Sequence, residues 1–392
     1  MKPVLLGDFI ERKKSIVDKD STDLLYYVGG EHIDSGRINI KKRGVIKGST
    51  IGPAFHTRFD PGDVLLMSRN PHLRKAGIVD FEGICSDVTY VCRTKDESRL
   101  LQSFIPFIFQ SNSFWRFAEE NKKGSTNFFL NWSDFEKYEL FLPNIEIQKK
   151  LSDTLWSIEN TIEAYKNLLF ATDELVNAQF LEVFGDETNP YDWPVKNIEE
   201  VAKVSVGVVI KPAQYYTKES NGVKAFRSLN IGPMKIKDSD WVYFTTEGNE
   251  KNKKSQLKEN DLLIVRSGAP GTACVVPKKY EGCNAVDLII ARPDTTQINP
   301  YYLCAYTNMP HGKQQIDRGT DGAAQQHFNV GKYNKLKIML PPMEIQNEFI
   351  RFVNKADESK MALERTIESL SVLKNEIIDQ SFEKGCEQHE YI

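Results

Sequence analysis

The chain has 392 residues, of which 40% are hydrophobic and 27% are charged, and its net charge is −3. This length exceeds one typical hydrophobic core and predicts two domains with connectors. No apolar run approaches the roughly 18 residues of a membrane span, and we expect no signal peptide, which favours a cytoplasmic protein with no membrane partner. The six cysteines form no CxxC pair and no Cys/His group with zinc spacing, which argues against a structural metal site.

Residues 1–142 mix strand-like runs with Gly, Pro and Asp turns and predict a first mixed domain. The stretch from Leu100 to Asn121 is strongly apolar and contains one proline, so we expect a buried helix that is kinked or broken near Pro106. The predicted strands are Leu24 to Val28, Val64 to Met67, Val88 to Cys92 and Tyr138 to Leu142.

Residues 143–186 predict a long amphipathic helix. Pro143 and Glu146 suit a first helical turn, and Gly185 is a stop signal. Between them, mostly apolar residues recur at alternating steps of four and three and line one helical face. These residues are Leu151, Leu155, Ile158, Ile162, Tyr165, Leu169, Thr172 and Val176. A helix lying only on its own domain is the alternative interpretation.

The whole plan then occurs a second time, and the two helical stretches align at a shift of 198 residues. A second mixed domain is predicted at 187–341, and a second long helix and tail at 342–392 with Gly385 as its stop signal. Its apolar face has one interruption, Lys360. Because the two apolar faces have the same period, we expect them to pack together. The matching pairs at the helix starts are Leu142/Leu340, Pro143/Pro341, Glu146/Glu344, Ile147/Ile345 and Gln148/Gln346.

The order domain, helix, domain, helix favours an antiparallel helix pair. A helix of about 40 residues is about 60 Å long, whereas a domain of about 150 residues has a radius of gyration near 15 Å. Parallel helices would force the second domain to stretch over about that whole length. The predicted fold class is therefore α+β, with two mixed α/β domains at opposite ends of a pair of long antiparallel helices and an approximate two-fold repeat.

Charge is unevenly distributed along the chain. Residues 1–142 hold 21 Lys and Arg against 19 Asp and Glu, and residues 187–341 hold 21 against 16. The helical segments hold 3 against 8 and 6 against 11. A polyanion would therefore meet the domains and avoid the helices, although a solvated surface also explains excesses of this size.

Several turns place Arg or Lys beside Gly, Asn or Gln, a pattern typical of nucleic-acid contact because phosphates need cations and base edges need forked donors and amides. In the first domain the candidates are Lys41, Lys42, Arg43, Arg69, Arg74, Lys75, Lys122, Lys123 and Asn127. In the second they are Lys253, Lys254, Arg266, Lys278, Arg318 and Gln325. Arg69, Arg74, Arg266 and Arg318 rank highest, and exposed polar turns without a ligand are the alternative.

With two Leu-Pro-x-x-Glu-Ile-Gln helix starts and a domain before each, the chain resembles the specificity subunit of type I restriction–modification enzymes over essentially its whole length. The first start departs from the family's LPP at Asn144. The resemblance implies two target recognition domains that each read half of a split sequence in double-stranded DNA, with helices that set the spacer and dock two methyltransferase subunits. It also implies that restriction subunits join the complex of this chain with the methyltransferase subunits. It implies no cofactor in this chain, with S-adenosylmethionine, ATP and Mg on the partner subunits.

No catalytic motif is visible in this chain. The segment Asn299-Pro300-Tyr301-Tyr302 lacks the second proline of the methyltransferase motif, and no phosphate-binding GxxxxGK or metal-binding HExxH occurs. Asp357 to Lys360 has a nuclease-like spacing but lies in the predicted second helix. The sequence therefore predicts a DNA-reading adaptor without chemistry of its own. A stand-alone methylase or nuclease with a degenerate motif, and a coiled-coil protein scaffold, are the alternatives.

Overall fold

The computed structural model describes residues 2–186, 188–218, 221–319 and 328–382. The predicted DNA contact Gln325 and the stop signal Gly385 lie outside these residues. The chain divides into two compact units, one of residues 1–167 with 363–392 and one of residues 168–362. No helix in the described ranges is long and apolar enough to cross a membrane.

The elements of the first domain are short, and they lead into one long helix. The strands are β1 (Val4–Leu5), β2 (Ile10–Lys13), β3 (Tyr26–Val28), β4 (Asn39–Ile40), β5 (Gly44–Val45), β6 (Phe55–Phe59), β7 (Val64–Met67), β8 (Ala76–Val79), β9 (Gly83–Ser86), β10 (Thr89–Thr94) and β11 (Glu139–Leu140). The α-helices are α1 (Ile105–Ile108), α2 (Asn112–Glu120), α3 (Trp132–Phe135) and the long α4 (Ile145–Phe184). Short 3-10 helices lie at Leu6–Asp8, Pro71–Leu73 and Gln102–Phe104.

Two sheets organise this domain. The larger has the strand order β2-β10-β7-β8-β4, and the other has the order β5-β3-β9-β6. Strand β7 alternates between two cores, because successive side chains of a strand point to opposite faces. Val64 and Leu66 pack in the cluster that contains the α1 and α2 side chains, whereas Leu65 packs with residues of β3, β6 and β9. The predicted strand Val64 to Met67 is confirmed at its bounds.

The apolar stretch 100–121 is broken close to Pro106, as predicted, but the proline itself does not cause the break. Pro106 lies in the first turn of α1, where a missing N–H leaves no helical hydrogen bond unmade. The break falls between α1 and α2, where the Ser111 side chain accepts a hydrogen bond from the Phe114 N–H at 3.3 Å and caps α2. The predicted burial of this stretch is confirmed.

The second domain repeats this plan and ends in the second long helix. Its strands are β12 (Val195–Asn197), β13 (Ala202–Val206), β14 (Tyr216–Thr217), β15 (Val223–Phe226), β16 (Ile231–Gly232), β17 (Lys235–Ile236), β18 (Val242–Phe244), β19 (Leu262–Val265), β20 (Ala273–Val275), β21 (Asn284–Ala285), β22 (Leu288–Pro293) and β23 (Lys337–Met339). Its α-helices are α5 (Ile198–Val201), α6 (Thr246–Lys251), α7 (Pro300–Asn308), α8 (Pro310–Gly319), α9 (Val330–Asn334) and α10 (Met343–Phe382). Short 3-10 helices lie at Pro212–Tyr215, Ser228–Asn230, Lys253–Ser255 and Lys278–Tyr280.

The sheets of this domain have the orders β13-β22-β19-β20 and β14-β18-β15-β21. A buried aspartate marks the repeat in both domains. Asp63 accepts a hydrogen bond from the Asp60 N–H at 2.7 Å and pairs with Arg93. Asp261, 198 residues later, accepts from the Lys258 N–H at 2.8 Å and pairs with Arg292. The doubled architecture predicted from the sequence is therefore confirmed.

The two long helices are continuous over 40 residues each. Both begin after their prolines, so the prediction that Pro143 lies within the first turn is wrong. Instead, the Asn144 side chain accepts a hydrogen bond from the Ile147 N–H at 3.0 Å and caps α4. Gly185 ends α4 in a left-handed conformation with φ +79°, and its N–H donates to the Leu181 carbonyl at 2.8 Å. The predicted stop signal is confirmed.

Within each unit, segments of α4 and α10 pack against one another. In the second unit, Asp173 contacts Lys360 at 2.9 Å, while Phe180, further along α4, packs against Phe349, which is earlier on α10. The two segments are therefore antiparallel in this unit. Lys360, which interrupts the apolar face in the sequence, is explained by this ion pair.

Candidate nucleic-acid interface

In the first unit, the loop between β7 and β8 carries two exposed predicted arginines, Arg69 and Arg74. Asn70 adopts a left-handed conformation with φ 50° ahead of the 3-10 helix Pro71–Leu73, and Arg74 does so after it with φ 47°. These two reversals hold the loop in a tight turn. Arg69 is exposed, and its guanidinium makes no hydrogen bond or ion pair with the residues that the structure describes in this unit.

A second predicted turn lies directly against this loop. Arg69 and Phe129 form a β-bridge, and so do Lys123 and Phe129. The Asn70 N–H also donates to the Phe128 carbonyl at 2.8 Å. The structure therefore brings together two of the segments that the sequence singles out, although they are about fifty residues apart in the chain.

This second turn presents backbone and amide groups to solvent. Gly124 has φ +94°, and a side chain there would meet the Asn127 carbonyl at 2.5 Å, so the close turn requires glycine. Asn127 is exposed. The Lys122 ammonium pairs with Glu119 at 2.7 Å and lies 4.4 Å from the centre of the Phe128 ring, and Lys123 lies 4.0 Å from Asp134.

Arg74 and Lys75 are held by the protein itself. The Arg74 guanidinium donates to the Asn112 side-chain oxygen at 2.8 Å, and Asn112 is in turn bound to Asp379 on α10. The Lys75 ammonium donates to the Gly30 carbonyl. These contacts connect the loop to the long helix.

The basic run at residues 41–43 contacts other groups. Lys41 pairs with Glu163 of α4 at 2.7 Å, and Lys42 pairs with Asp34 at 2.7 Å. The Arg43 guanidinium lies 4.2 Å from the centre of the Tyr26 ring and 4.7 Å from that of Phe81. Two of these three cations are thus neutralised by carboxylates, and the third stacks on aromatic rings.

In the second unit, Arg266 directly follows β19, and it is the equivalent of Ser68 in the first unit. Its carbonyl accepts the Phe328 N–H at 2.9 Å, as the Ser68 carbonyl accepts the Leu130 N–H at 2.9 Å. The Arg266 side chain is only 12% exposed and pairs with Asp287. Its forked donors are therefore engaged within the protein.

The other predicted contacts of this unit lie at the surface. Lys253 pairs with Glu250 at 2.7 Å. Lys254 and Lys278 are exposed at the 3-10 helices Lys253–Ser255 and Lys278–Tyr280. Arg318 is exposed in the last turn of α8, where it contacts Gln314 at 3.4 Å.

One basic and aromatic cluster was not predicted from the sequence. The Lys224 ammonium lies 4.5 Å from the centre of the Trp241 ring and pairs with Asp238 at 3.0 Å. The nearby Tyr280 hydroxyl and hydrogen bonds from Lys224 and Trp241 hold the pKa of Asp238 well below its usual range. Lys279 extends the cluster, 4.7 Å from the Tyr280 ring centre. Its members come from β15, the loop between β17 and β18 and the 3-10 helix Lys278–Tyr280, so no local pattern could have indicated it.

The residues that resembled catalytic motifs have structural roles. The Asn299 side chain caps α7 by accepting the Tyr301 N–H at 2.8 Å. Asp357 and Lys360 lie in the middle of α10 and pair with each other at 2.8 Å. Neither group has the geometry of a reaction centre.

A family model and two curated relatives match this chain, and their descriptions agree with one another. A family model described as type I restriction modification DNA specificity domain matches residues 6–169 and again residues 190–370. A protein of Methanocaldococcus jannaschii assigned as the specificity subunit of the type I restriction enzyme MjaX is 25% identical over 211 residues, which are 51% of this chain and 48% of the relative. The specificity subunit of the MjaVIII enzyme from the same organism is 24% identical over 203 residues, 51% of this chain and 44% of the relative. The chain thus spans about half the length of the curated relatives it matches.

Two solved structures have a similar fold over almost the whole chain. One comes from work on complex assembly and conformational transition of the type I R-M system, with a TM-score of 0.63 at 19% identity, covering 98% of this chain and 97% of the other. The other is the S subunit of a type I restriction–modification system from M. genitalium, with a TM-score of 0.56 at 14% identity, covering 98% and 96%. At these identities the likeness shows the fold alone.

Proposed function

This chain belongs to the family of type I restriction–modification DNA specificity domains, and from this premise we propose that it is the DNA-reading subunit of such a system. It reads a bipartite target in double-stranded DNA, with one recognition domain for each half-site. The repeat carries this proposal, because two similar but unequal domains suit a target with two different halves.

In the first domain, Arg69 and the adjoining turn with Lys123 and Asn127 contact the DNA. The support is their adjacency and the exposure of Arg69, since an arginine with an unoccupied fork suits a guanine edge and an amide suits adenine. In the second domain, the exposed cations Lys254, Lys278 and Arg318 contact the duplex. Gln325, beyond the described residues, belongs to the same proposed set.

The chain performs no chemistry alone. Two methyltransferase subunits dock on the long helices and restriction subunits join them, so S-adenosylmethionine, ATP and Mg are held by those partners. The structural roles of Asn299 and Lys360 support this division, because the two motifs closest to catalytic ones are occupied as a helix cap and an ion pair. The complex acts in the cytoplasm, where its DNA lies.

Methylation mapping tests this proposal. Adenine methylation is mapped across the genome of cells that carry or lack this chain, with the partner subunits present in both. We expect one split motif that disappears with the chain. In a parallel assay the purified chain alone is incubated with labelled S-adenosylmethionine and DNA, and methyl transfer without added subunits would overturn the proposal.

A further inference from the structure

We propose that the first unit binds a phosphate-class oxyanion in a cavity between the loop at residues 35–37 and the two long helices. The cavity has a volume of about 170 Å³. Its lining includes three cations, Arg37, Lys166 and Lys374, and one carboxylate, Glu159. This proposal does not rest on the proposed function, because a free anion can be tested without DNA.

Two of the three cations keep charge that the protein does not neutralise. Lys374 and Glu159 pair at 2.6 Å, with side chains only 10% and 6% exposed, and so satisfy each other. Arg37 has a carboxylate neighbour in Glu163, but the closest nitrogen–oxygen distance is 3.9 Å. That carboxylate is already bound to Lys41 at 2.7 Å. The cavity therefore retains the charge of Arg37 and Lys166.

Lys166 is the residue whose situation most requires a ligand. It is half-buried on α4, and its ammonium makes no hydrogen bond or ion pair with the described residues of this unit. Burial lowers the pKa of Lys166, and the Arg37 and Lys374 charges lower it further, while Glu159 and Glu163 act in the opposite direction. An anion beside the ammonium would offset both the burial and the repulsion.

The surrounding donors fit a multivalent oxyanion. A guanidinium fork and an ammonium are the groups that proteins use for phosphate, and the Ser35 hydroxyl and the Asn375 amide line the same cavity. Ile162 is the one apolar side chain among the described lining residues, so a base or an acyl chain would have little to pack against. A water occupies about 30 Å³ of liquid, so the volume is sufficient for a tetrahedral anion with some of its waters.

The phosphate can come from two sources, a free ion or a phosphodiester of DNA. The loop at residues 35–37 contacts the loop that carries the predicted DNA contacts, because the Gly36 N–H donates to the Arg74 carbonyl at 3.2 Å. A DNA backbone that contacts the loop between β7 and β8 would therefore come close to the cavity.

The experiment compares the full chain with two variants, Lys166→Met and Arg37→Gln, and with the control Lys150→Met. Lys150 is an exposed lysine on the same helix that does not line the cavity. Inorganic phosphate binding is measured by calorimetric titration, and thermal unfolding is followed in phosphate and in sodium chloride of the same ionic strength. We expect phosphate to raise the unfolding temperature of the wild-type and control chains, and both cavity variants to bind phosphate about tenfold more weakly or worse.

Two results would overturn the proposal. One is an equal unfolding temperature in phosphate and chloride for the wild-type chain, and the other is a wild-type response to phosphate in both cavity variants. Arg37 is exposed, so its variant tests the site even if Lys166→Met unfolds.

A titration with duplex DNA then identifies the source. If a phosphodiester occupies the cavity, inorganic phosphate competes with DNA and Lys166→Met weakens binding to every sequence. If the ligand is a free ion, Lys166→Met and Lys150→Met bind DNA equally. Either result supports the site.

Discussion

Gln148 and Gln346, 198 residues apart, hold the starts of the two long helices in the same way. The Gln148 side chain accepts the Leu101 N–H at 3.1 Å and donates to the Pro143 carbonyl at 2.8 Å. The Gln346 side chain accepts the Asn299 N–H at 2.9 Å and donates to the Pro341 carbonyl at 2.9 Å. Both glutamines are fully buried. The glutamine of the helix-start motif therefore joins each helix to the domain that precedes it.

Replacing either glutamine by leucine should destabilise the unit that contains it. Each change leaves a partly buried N–H and a buried carbonyl without their partner, which costs roughly 1–3 kcal/mol. Denaturant unfolding followed by tryptophan fluorescence measures the loss, and Lys149→Leu, an exposed change nearby, is the control. If Gln148→Leu and Lys149→Leu are equally stable, the glutamine does not have this role.

The two helix-pair salt bridges should differ in their importance. Lys374 and Glu159 are almost completely buried, whereas Asp173 is 61% exposed in its pair with Lys360. We expect Glu159→Ala to cost roughly 3–5 kcal/mol, because it leaves a buried cation without its partner. Asp173→Ala should cost about 1 kcal/mol or less.

The same denaturant titration compares the two variants side by side. A double variant, Glu159→Leu with Lys374→Met, should recover most of the loss, because it removes both charges from the buried position. Equal losses for the two single variants would contradict the difference in burial.

The sequence predicted the repeat, the long helices and strand β7, because these depend on local signals and on periodicity. The exposure and the pairing partners of individual arginines could not be predicted in the same way. Arg69 and Arg266 both lie beside turns, yet Arg266 is half-buried and pairs with Asp287, 21 residues away, and Arg69 has no such partner among the described residues. The break near Pro106 was predicted, but the role of the proline was not, because proline is equally suited to a first helical turn.

Arg69→Ala should change DNA selectivity without changing stability. The Arg69 guanidinium makes no hydrogen bond or ion pair with the described residues, so its loss leaves no polar group unsatisfied in the protein. If it reads a base, we expect a cost of roughly 1–3 kcal/mol for one position of one half-site. Methylation mapping of the variant checks this, with His72→Ala, an exposed residue of the same loop, as the control. A uniform weakening over all sequences would instead assign Arg69 to a phosphate.

Arg266→Ala, in contrast to Arg69→Ala, should lower the stability of the protein. Its guanidinium pairs with Asp287 and its Nε contacts the Phe328 carbonyl at 3.4 Å, so removal disrupts the loop after β19. We expect lower stability of the second unit together with weaker recognition of the second half-site. Thermal unfolding of Arg266→Ala and Arg266→Lys measures this, and unchanged unfolding in both variants would show that the buried contacts contribute little.

Lengthening both long helices should lengthen the spacer between the half-sites. Four helix-forming residues inserted after Asn167 in α4, together with four after Ala362 in α10, extend each helix by about 6 Å, which is one to two base-pair steps of about 3.4 Å. The two recognition domains are unchanged, so both half-sites should stay the same. Methylation mapping reads out the new motif.

The control carries the insertion in α4 alone. There α4 gains four residues at the boundary of the two units while α10 gains none, so the apolar faces cannot keep their register on both sides of the insertion, and we expect a loss of stability and no new motif. An unaltered spacer in a stable double-insertion variant would contradict the proposal that the helices set the distance. A changed half-site would contradict it as well, because sequence would then be read by the helices and not by the domains.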